Sequence, residues 1–233
     1  IPNDVPTFAE LGLPPHLREI IQMRQGLIIV SGPAGSGKTT TLAAFVDLLN
    51  AWKQAHIITL ENPVEFVHSD KKCLINQREV GVHSASFPRA LEAAMREDPD
   101  VIVVGEMRDV ETMRLAISAA ETGHLVLGTM YTTSAYGTVS RLVEAFPPLE
   151  QPSIRMSLSE SLAIVINQSL LRRADGQGRV ACFEVLMVSA AAKYLIRDNK
   201  LTQIPKTNPL RRNYETTSAT ADLTGFSQAR IFG

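Results

Sequence analysis

The chain of 233 residues carries 23 Lys and Arg against 24 Asp and Glu, with 45% hydrophobic residues. That length fits one large domain, or one with a small appendage, and a net charge of −1 excludes an overall basic field that would draw in nucleic acid or anionic lipid. Two cysteines, Cys73 and Cys182, exclude a disulfide framework and a four-cysteine zinc site, and no apolar run reaches the roughly 18 residues of a membrane span.

The chain begins at Ile1 with nothing like a signal peptide, which reads as a fragment of something longer. Four short apolar runs follow the lead-in at 1–24: Leu27–Val30, Ile57–Leu60, Val101–Val104 and Leu125–Leu127. They lack polar alternation, which suits strands of a parallel sheet covered on both faces. Helical stripes lie between and after them: Leu42, Phe45, Val46 and Leu49; Leu91, Ala94 and Met95; Met113, Ala116, Ile117 and Ala120; Val139, Leu142, Val143 and Phe146. These stripes read as core. The alternation predicts an α/β fold with ligands near the carboxyl ends of the strands.

Pro147 and Pro148 interrupt the pattern, and Ile154, Leu158, Leu162 and Val165 predict one more helix. A hairpin turning at Ala174–Gly178 comes next, flanked by Arg172 and Arg173. From Pro205 the Ser/Thr-rich tail reads as poorly ordered.

Gly32-Pro33-Ala34-Gly35-Ser36-Gly37-Lys38-Thr39 fits the P-loop pattern, between a buried strand and an amphipathic helix. Such a loop turns backbone N–H groups onto phosphate oxygens, with the helix N-terminus adding positive potential. Lys38 would reach the β and γ phosphates and the Thr39 hydroxyl would ligate Mg²⁺, with Thr40 beside them. The nearest match to a guanine-reading Asn-Lys-x-Asp is Asn199-Lys200-Leu201-Thr202, which lacks the Asp, so ATP is favoured.

The Val101–Val104 strand ends in Gly105-Glu106, where a carboxylate can orient or deprotonate an attacking water. Gly105 holds the usual Walker B aspartate position and cannot ligate a metal through a side chain. Glu61 sits at a second strand tip, where it could share the metal or the water, and Glu65 reads as supporting. His56, His68 and His83 stand in no metal-ligand spacing and read as structural.

The P-loop, His56–Phe66, Asn76–Gly81, Arg96–Asp100, Gly105–Asp109 and Ala120–His124 together resemble the PilT-like retraction ATPases of type IV pili, within the secretion ATPase superfamily. The likeness runs from about Pro6 to Ile204. It implies a RecA-like ATPase core at 25–146, a helical and hairpin part at 147–204, a homohexameric ring, ATP with Mg²⁺, and work on a pilus through an inner-membrane platform protein. Direct nucleic acid binding is not expected, and the location implied is cytoplasmic, peripheral at a bacterial inner membrane.

By the same resemblance Glu61 falls in the acidic box, Glu106 is the Walker B glutamate, and His124 is the first histidine of the His box, giving a catalytic set of Glu106, Glu61 and His124. Arg78 is placed near the phosphates or in a structural salt bridge. Three departures stand out. Tyr131 replaces the second His-box histidine, Asn62 replaces an acidic-box Asp, and the family's N-terminal PAS-like domain, a source of arginines for a neighbour's site, precedes 1–24 in relatives. The missing zinc cysteines favour retraction over assembly. Two alternatives remain: a ring subunit that binds without turnover, and a type II or type IV secretion ATPase.

Overall fold

The computed structural model describes residues 5–172 and 178–204. Seven strands form one sheet: β1 (Gly26–Ser31), β2 (His56–Glu61), β3 (Leu74–Glu79), β4 (Val101–Val104), β5 (Leu125–Met130), β6 (Leu162–Arg172) and β7 (Arg179–Met187). Their order is β3-β2-β4-β5-β1-β6-β7; the first six are parallel and β7 returns antiparallel to β6. Around it pack α1 (Lys38–Trp52), α2 (Phe87–Ala94), α3 (Val110–Glu121), α4 (Ala135–Glu144), α5 (Gln151–Ser161) and α6 (Ala190–Arg197). A 3₁₀ helix, Pro15–Gln22, leads into β1.

The unbroken apolar runs are explained by two cores, one on each face. Ile28, Val30, Val101 and Val103 pack with Phe45 and Leu49 of α1 and with Leu17 and Ile20 of the 3₁₀ helix. Their odd-even neighbours Leu27, Ile29, Ile102 and Val104 pack with Leu91, Met113, Ile117 and Leu158 on the other side. Strand residues alternate faces, so a strand buried on both sides must be apolar throughout.

One expected helix is shorter than its spacing predicts. The stripe Ile154, Leu158, Leu162, Val165 is split: α5 ends at Ser161, and Leu162 and Val165 belong to β6. Ser161 Oγ donates to Ser157 O at 2.8 Å within that last turn. Beyond it the β-branched run Ile164-Val165-Ile166 pairs with Ile28-Ile29-Val30 of β1, and the sheet overrides the helical spacing. The expected hairpin is β6–β7, with Arg172 opposite Arg179. Its predicted turn at 174–177, Arg173 and the tail from 205 lie outside the described residues.

β3 was not foreseen as a strand. Leu-Ile-Asn-Gln-Arg-Glu is mostly polar because it lies at the sheet edge, where Leu74 is exposed. Since the strands from β3 to β6 are parallel, the segments after β1, β2, β4 and β5 emerge at one edge of the sheet, where ligands of open α/β sheets bind.

Candidate functional site

The chain leaves β1 at Ser31 and turns through Gly32, Gly35 and Gly37, all at positive φ (149°, 71° and 86°), before α1 opens at Lys38. Gly32 is dictated by space as well as by dihedral: a Cβ there would stand 2.2 Å from the Gln168 carbonyl oxygen and 2.6 Å from Ser36 Oγ. Gln168, on β6, clamps the loop. Its Nε2 donates to Ser36 O at 2.6 Å, and its Oε1 accepts from Thr41 Oγ1 at 2.6 Å. Gly32→Ala is therefore expected to cost at least about 3 kcal/mol, from overpacking and a dihedral hostile to L-residues. Chemical denaturation checks this; a loss within experimental error would show that β6 yields freely.

A cleft of about 500 Å³ opens over the loop. Gly35, Gly37, Lys38, Thr39 and Thr40 line it, Gly32 and Ser36 are buried, and Pro33 and Ala34 are exposed. Ser36 Oγ is buried without a hydrogen-bond partner, an orphaned donor at a concave turn of backbone at a helix N-terminus. That arrangement fits a phosphate group. Lys38 is buried, and its Nζ donates to Gly32 O at 3.1 Å and Pro33 O at 2.8 Å. Burial pulls its pKa down, and the Glu106 charge opposes that shift.

The strand tips supply the opposite wall. Glu106, Glu61, Asn62, Glu65 and Tyr131 all line the cleft. Gly105 allows the close fit there, since a Cβ would stand 3.0 Å from Leu60 O. Glu106 pairs with Arg108 Nε. Lys38 Nζ stands 4.1 Å from the centroid of the Tyr131 ring, and the Arg108 guanidinium stands 5.6 Å from it.

Glu61 is largely shielded from water, and burial raises its pKa despite hydrogen bonds from Thr59 Oγ1 (2.6 Å) and Gln77 Nε2 (3.1 Å). A carboxylic acid raised on folding adds stability below its unfolded pKa, and loses it as pH rises through the folded value. Glu61→Gln keeps an acceptor for both donors and removes the charge. It should melt higher than the wild type at neutral pH, the gain shrinking as pH falls toward the ordinary value of 4.5. Thermal melts across that range decide it; equal melting at neutral pH would contradict the buried charge.

His124 is not brought to this cleft. It precedes Leu125 at the start of β5, and its Nδ1 lies 3.1 Å from Ala119 O. The loop follows the other end of β1, which pairs in register with β5, so His124 stands a strand length away, roughly 20 Å at about 3.3 Å per residue. Tyr131, past the far tip of β5, is what reaches the cleft. Arg78 is engaged elsewhere, in a two-point pair with Glu97 at 2.8 and 2.5 Å. His56 bonds Asn76 Oδ1 at 2.8 Å, and His83 Nδ1 accepts from Glu79 N at 2.9 Å. Among the described residues no cluster of three or more His, Cys, Asp or Glu could hold a metal ion.

Sequence reasoning missed Gln168 and gave Arg108 no role. Gln168 is separated from Ser36 by 132 positions, and no local pattern joins them. Arg108 stood within a noted motif, and its place two residues after the strand-tip glutamate was the available signal.

These features define a P-loop protein built on a RecA-like, mostly parallel sheet. The chain belongs to the type II/IV secretion system protein family, whose pattern it matches over residues 9–202. It is 54% identical over 204 residues to a twitching motility protein of Neisseria gonorrhoeae, covering 88% of this chain and 54% of that protein. To the type IV pilus retractation ATPase PilT of Pseudomonas aeruginosa it is 52% identical, covering 88% of this chain and 59% of the relative. The chain thus spans about half the length of the curated relatives it matches. Its fold superposes on the crystal structure of the pilus retraction motor PilT with bound ADP at a TM-score of 0.86 and 45% identity, covering 98% of this chain and 64% of that one.

Proposed function

We propose that the chain is the Mg²⁺-dependent ATPase part of a ring motor, a homohexamer that powers type IV pilus retraction. The observation that carries the reading is the juxtaposition of a phosphate-shaped loop, a buried lysine and two strand-tip glutamates in one cleft. The relatives' names and the ADP-bound neighbour support it. Acting at the inner membrane through a platform protein is part of the same proposal, and no helix among the described residues is long and apolar enough to cross a membrane.

ATP would lay its β and γ phosphates against the loop N–H groups and the Ser36 hydroxyl, drawing the Lys38 ammonium off Gly32 O and Pro33 O. Lys38 would then meet charge that develops during in-line displacement. Glu106 would orient the attacking water or accept its proton. The Thr39 hydroxyl, with Glu61 and Glu106 nearby, would hold Mg²⁺, which neutralises phosphate charge when bound. Product release would reorient subunits around the ring.

The test of direction is genetic. The intact protein containing this chain should restore twitching to bacteria deprived of their retraction ATPase, and its Glu106→Gln form should not. Normal ATP turnover without movement would favour secretion work instead. The reading of a subunit that binds without turnover is favoured by one observation, the Tyr131 ring against Lys38. Wild-type turnover indistinguishable from that of Lys38→Ala would support it.

A further inference from the structure

The charge in the cleft is unevenly distributed. Of the described cations lining it, Lys38 belongs to the loop, Arg179 comes from the start of β7, and Arg108 alone stands with the strand-tip glutamates. A triphosphate bound as proposed would bring its terminal, most charged group toward Glu106 and Glu61. The Mg²⁺ proposed above would offset part of the repulsion between these carboxylates and the polyanion, and a second positive charge on the same wall would offset more.

Arg108 is built to be that charge. Its backbone is fixed from both sides: Met107 N donates to Thr129 O at 3.0 Å, and Asp109 caps α3 by accepting from Thr112 N at 2.8 Å. The buried Met107 side chain locks the turn, resting where Gly128 leaves room; a Cβ on Gly128 would lie 2.9 Å from Met107 Cε. The side chain itself is 70% exposed. It pairs with Glu106 through Nε, and it lies over the same Tyr131 ring that Lys38 approaches. An aromatic ring attracts a cation over its face through its quadrupole. The ring is within reach of both the guanidinium and the ammonium that would meet the γ phosphate.

We infer that Arg108 is the chain's own γ-phosphate ligand, kept in reserve on Glu106 and handed across the Tyr131 ring when ATP enters. The transfer does two things at once. It supplies a fork of N–H donors to the terminal phosphoryl oxygens, and it frees Glu106 to engage the attacking water. ADP, lacking the γ phosphate, leaves Arg108 on Glu106. The inference rests on the ATPase reading above and assigns Arg108 a direct contact within it.

The test uses the Glu106→Gln form, in which ATP is held without turnover and Arg108 has no carboxylate to neutralise. ATP and ADP affinities are measured by calorimetry in the presence of Mg²⁺, with and without Arg108→Ala. Loss of a charge-assisted contact should weaken ATP by about 10-fold or more, with ADP changed by no more than about twofold, and Arg108→Lys should recover part of the loss. Equal weakening of ATP and ADP would overturn the inference, as would no weakening at all. Unchanged melting temperatures confirm that the exposed side chain was removed without unfolding. If the Glu106→Gln form and the wild type bind neither nucleotide, the ATPase reading falls and this inference with it. If both bind while Arg108→Ala is silent, this inference alone falls.

Discussion

Lys38→Ala should lose at least about 10-fold in affinity for both ADP and ATP. A buried lysine that charges a phosphate contact contributes about 1.5–3 kcal/mol, and every 1.4 kcal/mol is about tenfold. Folding should suffer less, because the substitution removes a cation whose burial already pulls its pKa down. Of the two carbonyls left behind, that of Pro33 belongs to an exposed residue and can be reached by water. Calorimetric titration with ADP reads the effect directly. Wild-type affinity in the variant would mean that the nucleotide lies elsewhere.

Glu106→Gln has the larger effect on rate. It preserves the shape of the wall and the acceptor toward Arg108 while removing the group that can take a proton, so turnover should fall by about 10²–10⁴-fold with binding retained. A variant that turned over near the wild-type rate would shift the role to Glu61. Glu61 is the weaker candidate on local grounds. Its Oε1 already accepts from Thr59 and Gln77, and burial favours its protonated form. Glu106, by contrast, pairs with one exposed arginine.

Much of this was legible in the chain because the relevant signals are local. Leu27–Val30 followed by the glycine-rich octet and the Leu42–Leu49 stripe dictates strand, phosphate loop and helix within a single stretch. The strand tips at Glu61 and Glu106 follow from the same logic, since apolar runs buried on both faces can expose a carboxylate only at their ends. What the sequence hid was non-local. The continuation of the α5 stripe into Leu162 and Val165 has helical spacing, but a strand buried on both faces is apolar throughout and shows no period of its own; pairing with β1 decides between them. Gln168 clamps a loop more than a hundred residues away.

His124 illustrates a different limit. Its assignment to the catalytic set came from resemblance, and a run of motif residues carries no information about which end of a strand each occupies. Once β5 is known to span Leu125–Met130 beside β1, His124 and Tyr131 fall at opposite ends, and only the tyrosine shares the cleft with Lys38. Arg78 was open between phosphate and salt bridge, and the Glu97 carboxylate decides it.

The central claim is that this cleft hydrolyses ATP, and phosphate release tests it most directly. Steady-state turnover is measured with Mg²⁺ for the intact protein containing this chain, with Lys38→Ala as the blank. The account predicts release clearly above the blank, abolished when Glu106 becomes Gln. Release no greater than that of Lys38→Ala would contradict it.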